Sequence, residues 1–167
     1  MLHMIDGLPA HVLLVHFIVV GLPLAALMLV ASAVWPAARR RLGFLSPLVA
    51  LGVLVLVPVT TSAGHWLIKH DFGPTPPPNA LHHEHLGDWV WTWAAGIFLM
   101  SALVWLLGRR EDARGTASAA GPSGVRTATV PRWATAGLAV LSVAVAVGGV
   151  YWVFLTGEAG AHLVFGG

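Results

Sequence analysis

Histidine carries the chemistry in this chain of 167 residues. There are nine histidines, against seven acids and no cysteine. An imidazole ligates haem iron, zinc, copper or non-haem iron, and it is the side chain that changes charge near neutral pH. The lack of cysteine excludes disulfides, thiolate metal sites, iron–sulfur ligation and cysteine nucleophiles. It also excludes a c-type haem attached through Cys-x-x-Cys-His. No HExxH spacing occurs, although the run His82-His83-Glu84-His85 has the donors for a divalent ion. A Gly-rich phosphate loop and a serine nucleophile with an adjacent base are both missing from the sequence.

The elements that must position these imidazoles are membrane spans. Apolar residues make up 57% of the chain and charged residues 10%, too little charge to cover a water-facing surface. Four apolar stretches reach the ~20 residues that cross a bilayer, at about 8–35, 44–67, 86–107 and 131–156. The expected fold is all-α, a membrane-embedded four-helix bundle forming one domain. Residues 1–7 lack a positive charge, so the first apolar run reads as a retained helix and not as a cleaved leader.

Eight arginines fall in the first and third loops or at the start of the last span, and Lys69 alone lies on the other side. By the positive-inside rule both termini face the extracytoplasmic side of a bacterial inner membrane. The third loop, about 111–129, is rich in Gly, Ala, Ser and Thr and reads as a flexible cytoplasmic linker. Gly73 to Pro78 reads as a stiff extended stretch. Pro23 and Pro58 fall inside spans, where each removes one backbone hydrogen bond. Trp35, Trp66, Trp89 and Trp133 sit at span ends, as an interfacial aromatic belt requires. The net charge of +2 lies in these loops and is no nucleic-acid footprint.

On that topology every histidine lies on the outer side, with Asp6, Asp71, Glu84, Asp88 and Glu158. His16 lies about 12 Å down the first span, inside the hydrocarbon layer, where an imidazole needs a partner or a ligand. His11 is five residues earlier, so the two rings point some 140° apart and do not share one metal on one face. His65, His85 and His162 fall at the outer ends of the other three spans. His3, His70, His82 and His83 are expected in solvated loops.

Three stretches resemble a bacterial family of small four-helix membrane proteins of unknown function. They are Leu8-Pro9-Ala10-His11-Val12-Leu13-Leu14-Val15-His16-Phe17, Glu84-His85-Leu86-Gly87-Asp88-Trp89, and Thr156-Gly157-Glu158-Ala159-Gly160-Ala161-His162-Leu163-Val164-Phe165. Val12 and Ile18 stand where that family often has proline. The family is similar to four-helix membrane cytochromes of b type, and the resemblance implies the same four-span fold.

Three functions compete on these residues. The first is b-type haem binding, with one or two haems, which needs only axial ligands and an apolar slot. His16 is the expected axial ligand, with His65, His85 or His162 opposite, His11 in support and small residues such as Gly52, Gly64, Ala95 and Gly96 admitting the ring. The role would be one-electron transfer with a quinone or an extracytoplasmic redox protein. The second is a zinc, copper or iron site in which Glu84, Asp88 and Glu158 join those imidazoles. The third is a cofactor-free accessory subunit, in a homo- or hetero-oligomer, packed through small residues. Whether the chain is an enzyme does not follow from its residues.

Overall fold

Residues 4–5, 8–120 and 131–165 are described by the computed structural model, and five helices hold nearly all of them. A short antiparallel pairing of β1 (Met4–Ile5) with β2 (Leu8–Pro9) leads into α1, Ala10–Val34. Helix α2 is a single short piece, Pro36–Leu42, with its proline at the first turn, where the missing N–H costs nothing. Then follow α3 (Leu45–Phe72), α4 (Pro78–Ala120) and α5 (Arg132–Phe165). His3, Asp6 and residues 121–130 lie outside the described residues.

Helices α1, α3, α4 and α5 are each long and apolar enough to cross a bilayer, the architecture of a multi-pass membrane protein. At 1.5 Å per residue, the 25 residues of α1 cover about 37 Å. The four form a ring in the order α1, α3, α4, α5, with α1 and α4 also touching across one diagonal. Helices α3 and α5 therefore stand at opposite corners. The start of α1 and the end of α5 lie at the same end of the bundle, with the histidines; Arg39, Arg40 and Arg109 mark the other end.

One stripe of each helix faces inward. Ile18, Leu22, Ala25 and Leu29 of α1 recur at helical spacing and meet Ala50, Val53 and Val57 of α3. Val90, Ala94, Ile97 and Val104 of α4 complete the core with Ala146 and Val153 of α5. The outward faces are apolar too, with Phe17, Val20, Leu27, Val140 and Phe154 exposed. In water such a surface would aggregate; against lipid it is the solvated surface.

Several polar groups within the spans bond to nearby backbone, whereas the buried hydroxyls of Ser32, Ser46 and Ser101 have no partner among the described residues. Behind Pro58, the hydroxyls of Thr60, Thr61 and Ser62 donate back to the carbonyls of Leu56, Pro58 and Val59 at 2.9, 3.2 and 2.9 Å. Trp152 donates its indole N–H to the Leu86 carbonyl at 2.9 Å, tying α5 to α4. Arg39 donates to Glu111 at 2.9 Å and fastens α2 to the far part of α4.

Helix ends differ from the expected boundaries for identifiable reasons. Helix α3 runs on to Phe72, until Gly73 at φ 63° ends it. Helix α4 starts at Pro78, eight residues before the expected 86, because proline suits a first helical position and the Ala80 N–H is taken by the Pro77 carbonyl and the Asn79 side chain. It continues to Ala120, so the expected linker is helical over residues 111–120. Helix α5 reaches Phe165, nine residues past the expected 156.

Gly43 closes α2 at φ 49° and ψ −127°, a conformation that an L side chain does not tolerate. Gly43→Ala is expected to cost ~1–3 kcal/mol, read as a lower Tm in detergent. An unchanged Tm would show that the α2–α3 turn carries no such strain.

Candidate functional site

At the histidine end, two imidazoles are held in the same way by different helices. His11, the second residue of α1, donates Nδ1–H to the Thr60 carbonyl of α3 at 2.9 Å. His83 of α4 donates Nδ1–H to the Thr156 carbonyl of α5 at 3.0 Å. Each acceptor threonine sits four residues before a glycine that the imidazole packs against. A Cβ on Gly64 would lie 2.9 Å from His11 Cε1 and Nδ1, and one on Gly160 would lie 3.0 Å from His83 Cε1. Each threonine hydroxyl also bonds back four residues, to Leu56 and to Trp152, at 2.9 Å. The pattern Thr-x-x-x-Gly thus makes one imidazole seat on α3 and a second on α5.

The two rings meet across the α1–α4 diagonal, with centroids 6.2 Å apart and planes at 82°. A carbonyl oxygen only accepts, so each Nδ1 carries a proton, and in the neutral ring Nε2 keeps its lone pair. Among the described residues no side chain or backbone group bonds to either Nε2. Fixing the tautomer through Nδ1 while Nε2 stays available is how proteins prepare histidine for a metal.

The other candidates are dispersed. His16 is exposed on the outer face of α1, with Nδ1 bonded to the Val12 carbonyl of its own helix at 2.6 Å. The rotation that separates it from His11 turns it away from the bundle. His85, His162 and Glu158 are exposed and are not brought together with the His11–His83 pair. His85 and Glu158 lie inside helices, and His162 lies in the last turn of α5, not beyond it. His70 stacks on Trp66 within α3, centroids 4.8 Å apart and planes at 12°, and is not in a loop.

His65 forms a separate polar group on the α3–α4 seam. Its Nε2 lies 3.1 Å from Asp88 and 3.4 Å from Glu84, acids one helical turn apart on α4. The imidazole and both carboxylates remain partly or well exposed, so the contact ties the two helices weakly. Among the described residues no three His, Asp or Glu side chains are disposed to hold a metal ion between them.

His83 was expected in a solvated loop; it lies inside α4, with its ring against that of His11. The missed signal is the seven-residue phase His83, Val90, Ile97, Val104, the buried stripe of α4 carried back one step. His11 stands in the same phase with Ile18 and Ala25 of α1. No family model, curated protein or solved structure matches this chain.

Proposed function

We propose that the chain is a b-type haem protein of the membrane, with His11 and His83 as axial ligands and one-electron transfer as its role. The single observation carrying this is the pair of imidazoles 6.2 Å apart, each anchored through Nδ1 to a neighbouring helix. Two metal–nitrogen bonds of ~2.0–2.1 Å, plus about another ångström from each nitrogen to its ring centre, put two imidazoles about 6 Å apart across one ion. His11 and His83 would hold the iron through their Nε2 atoms, and a macrocycle would supply its other donors. A bare zinc ion would take three or four protein ligands, and the described residues bring no third donor to this pair. The donor set therefore favours haem over zinc.

Small residues surround the two histidines. Gly64 on α3 and Gly160 on α5 flank the pair at opposite corners, and Ala10, Ala63 and Ala80 are buried at the same level. Iron in such a site supplies reversible one-electron chemistry. The protein's own contribution is to fix both tautomers, exclude water at the core side, and hold the ligand planes near perpendicular. By the positive-inside rule the arginine-rich loops support an extracytoplasmic position for this end, where a quinone or an extracytoplasmic redox protein would be the partner. The resemblance to b-type membrane cytochromes agrees with the same reading.

The test is the visible absorption spectrum of detergent-purified protein, as isolated and after dithionite, with iron analysis of the same sample. A Soret band and sharp reduced α and β bands are expected, with one iron per chain. Colourless protein from cells well supplied with haem would overturn the reading.

A further inference from the structure

We propose that the arginine end of the bundle carries a phosphate-binding site that takes the headgroup of an anionic lipid. A cavity of about 510 Å³ opens there between α2, the α2–α3 turn and α4. Its walls include Arg39, Arg40, Phe44, Trp105, Arg109 and Asp112. This is the size of an ordinary small-molecule site. None of these residues belongs to the histidine site at the other end.

The arginines are arranged, not merely numerous. Arg39 crosses α4 over Gly108, where a Cβ would lie 2.9 Å from its Cδ, and its guanidinium binds Glu111. That leaves it a fixed wall. The Arg109 guanidinium lies 5.2 Å from the centre of the Trp105 ring, a cation–π contact that holds it at the rim. Arg40 and Arg109 are both exposed at the opening. Asp112 is the only carboxylate among the described lining residues, so the wall stays positive even with Arg39 committed to Glu111.

A guanidinium pair suits a phosphate, which it can meet with forked hydrogen bonds. The position selects the source. Helix α1 ends at Val34 and α3 begins at Leu45, so the cavity lies in the layer where hydrocarbon meets water. Trp105 and the exposed Phe44 give it an aromatic floor suited to the glycerol and upper acyl region of a lipid. A basic pocket between spans at such a face is a lipid-headgroup site by its chemistry.

The experiment uses the full chain in a neutral detergent and reads bound lipid by native mass spectrometry. The probes are phosphatidylglycerol, phosphatidylcholine and inorganic phosphate. Wild type is expected to retain phosphatidylglycerol saturably and in preference to phosphatidylcholine. Arg40→Gln/Arg109→Gln should bind it at least about 30-fold more weakly, because each position loses a direct charge-assisted hydrogen bond to the phosphate. Arg41→Gln/Arg110→Gln removes the same charge outside the cavity and should stay within about twofold of wild type. Equal loss in both double variants would overturn the site in favour of diffuse attraction. Inorganic phosphate binding as tightly as the lipid, and displacing it, would overturn the lipid assignment in favour of a soluble phosphate. Elution of each variant as a single monodisperse species establishes that lost binding is not lost folding.

Discussion

His83→Ala protein is expected to purify with at least about tenfold less haem than wild type and without sharp reduced α and β bands. His83 lies across the bundle from His11 and, among the described residues, no other imidazole is placed to replace it, so its loss would remove one of two ligands to the iron. His11→Ala should do the same. His16→Ala should leave the spectrum unchanged, because that ring is exposed and bonded to its own helix. The triplet of variants separates the pair seen in the fold from the ligand that depth alone favours. Retention of the full low-spin spectrum in His83→Ala, with its loss in His16→Ala, would sink the assignment. A Gly64→Ala variant adds a finer readout, since its methyl would press on the His11 ring. It should shift the bands or the potential without abolishing binding.

Gly148→Ala should be among the most destabilising single-methyl changes in the chain. Its Cβ would overlap two ring carbons of Trp93, Cζ3 and Cη2. Trp93 has little freedom to retreat: its own Cβ packs near Gly149, and its ring lies 6.3 Å from that of Trp152. Trp152 in turn is tied to the Leu86 carbonyl. Overpacking of this kind costs ~1–3 kcal/mol, and the rigid indole puts this case at the upper end. Gly137→Ala is the control, because a Cβ there meets nothing within 4 Å. Alanine gains ~0.5–1 kcal/mol over glycine in a helix, so Gly137→Ala should raise the Tm while Gly148→Ala lowers it by several degrees. Thermal unfolding followed by tryptophan fluorescence in detergent decides it, and shifts of the same sign would refute the packing account.

The four spans were legible because lipid demands long apolar runs and little else in water-soluble proteins resembles them. Their order and the one-sided placement of the histidines came with them. The ends were not legible, because a helix leaving the membrane keeps its hydrogen bonds while its side chains turn polar. Pro78 shows this: read with Pro74, Pro76 and Pro77 it suggests extended chain, yet it is the first residue of α4. Starting that helix at 86 leaves His83 in a loop and hides its phase with Val90 and Ile97. His16 differs for another reason: position along a helix does not say which way a ring points, and the phase of Ile18 and Leu22 gives the inward face to His11 while His16 is exposed. The cavity at the arginine end joins α2 to α4, a tertiary pairing that no local pattern announces.

The placement of the imidazoles at one end of the bundle has a consequence for energetics. Hydrocarbon about 30 Å thick separates the two faces of a bilayer, and the described residues hold no histidine at the arginine end. An iron centre between His11 and His83 would have no relay to the opposite face. Electrons would enter and leave through the same mouth, and protons released there would stay on that side. Turnover would then move no charge through the transmembrane voltage and would run at the same rate in energised and de-energised membranes.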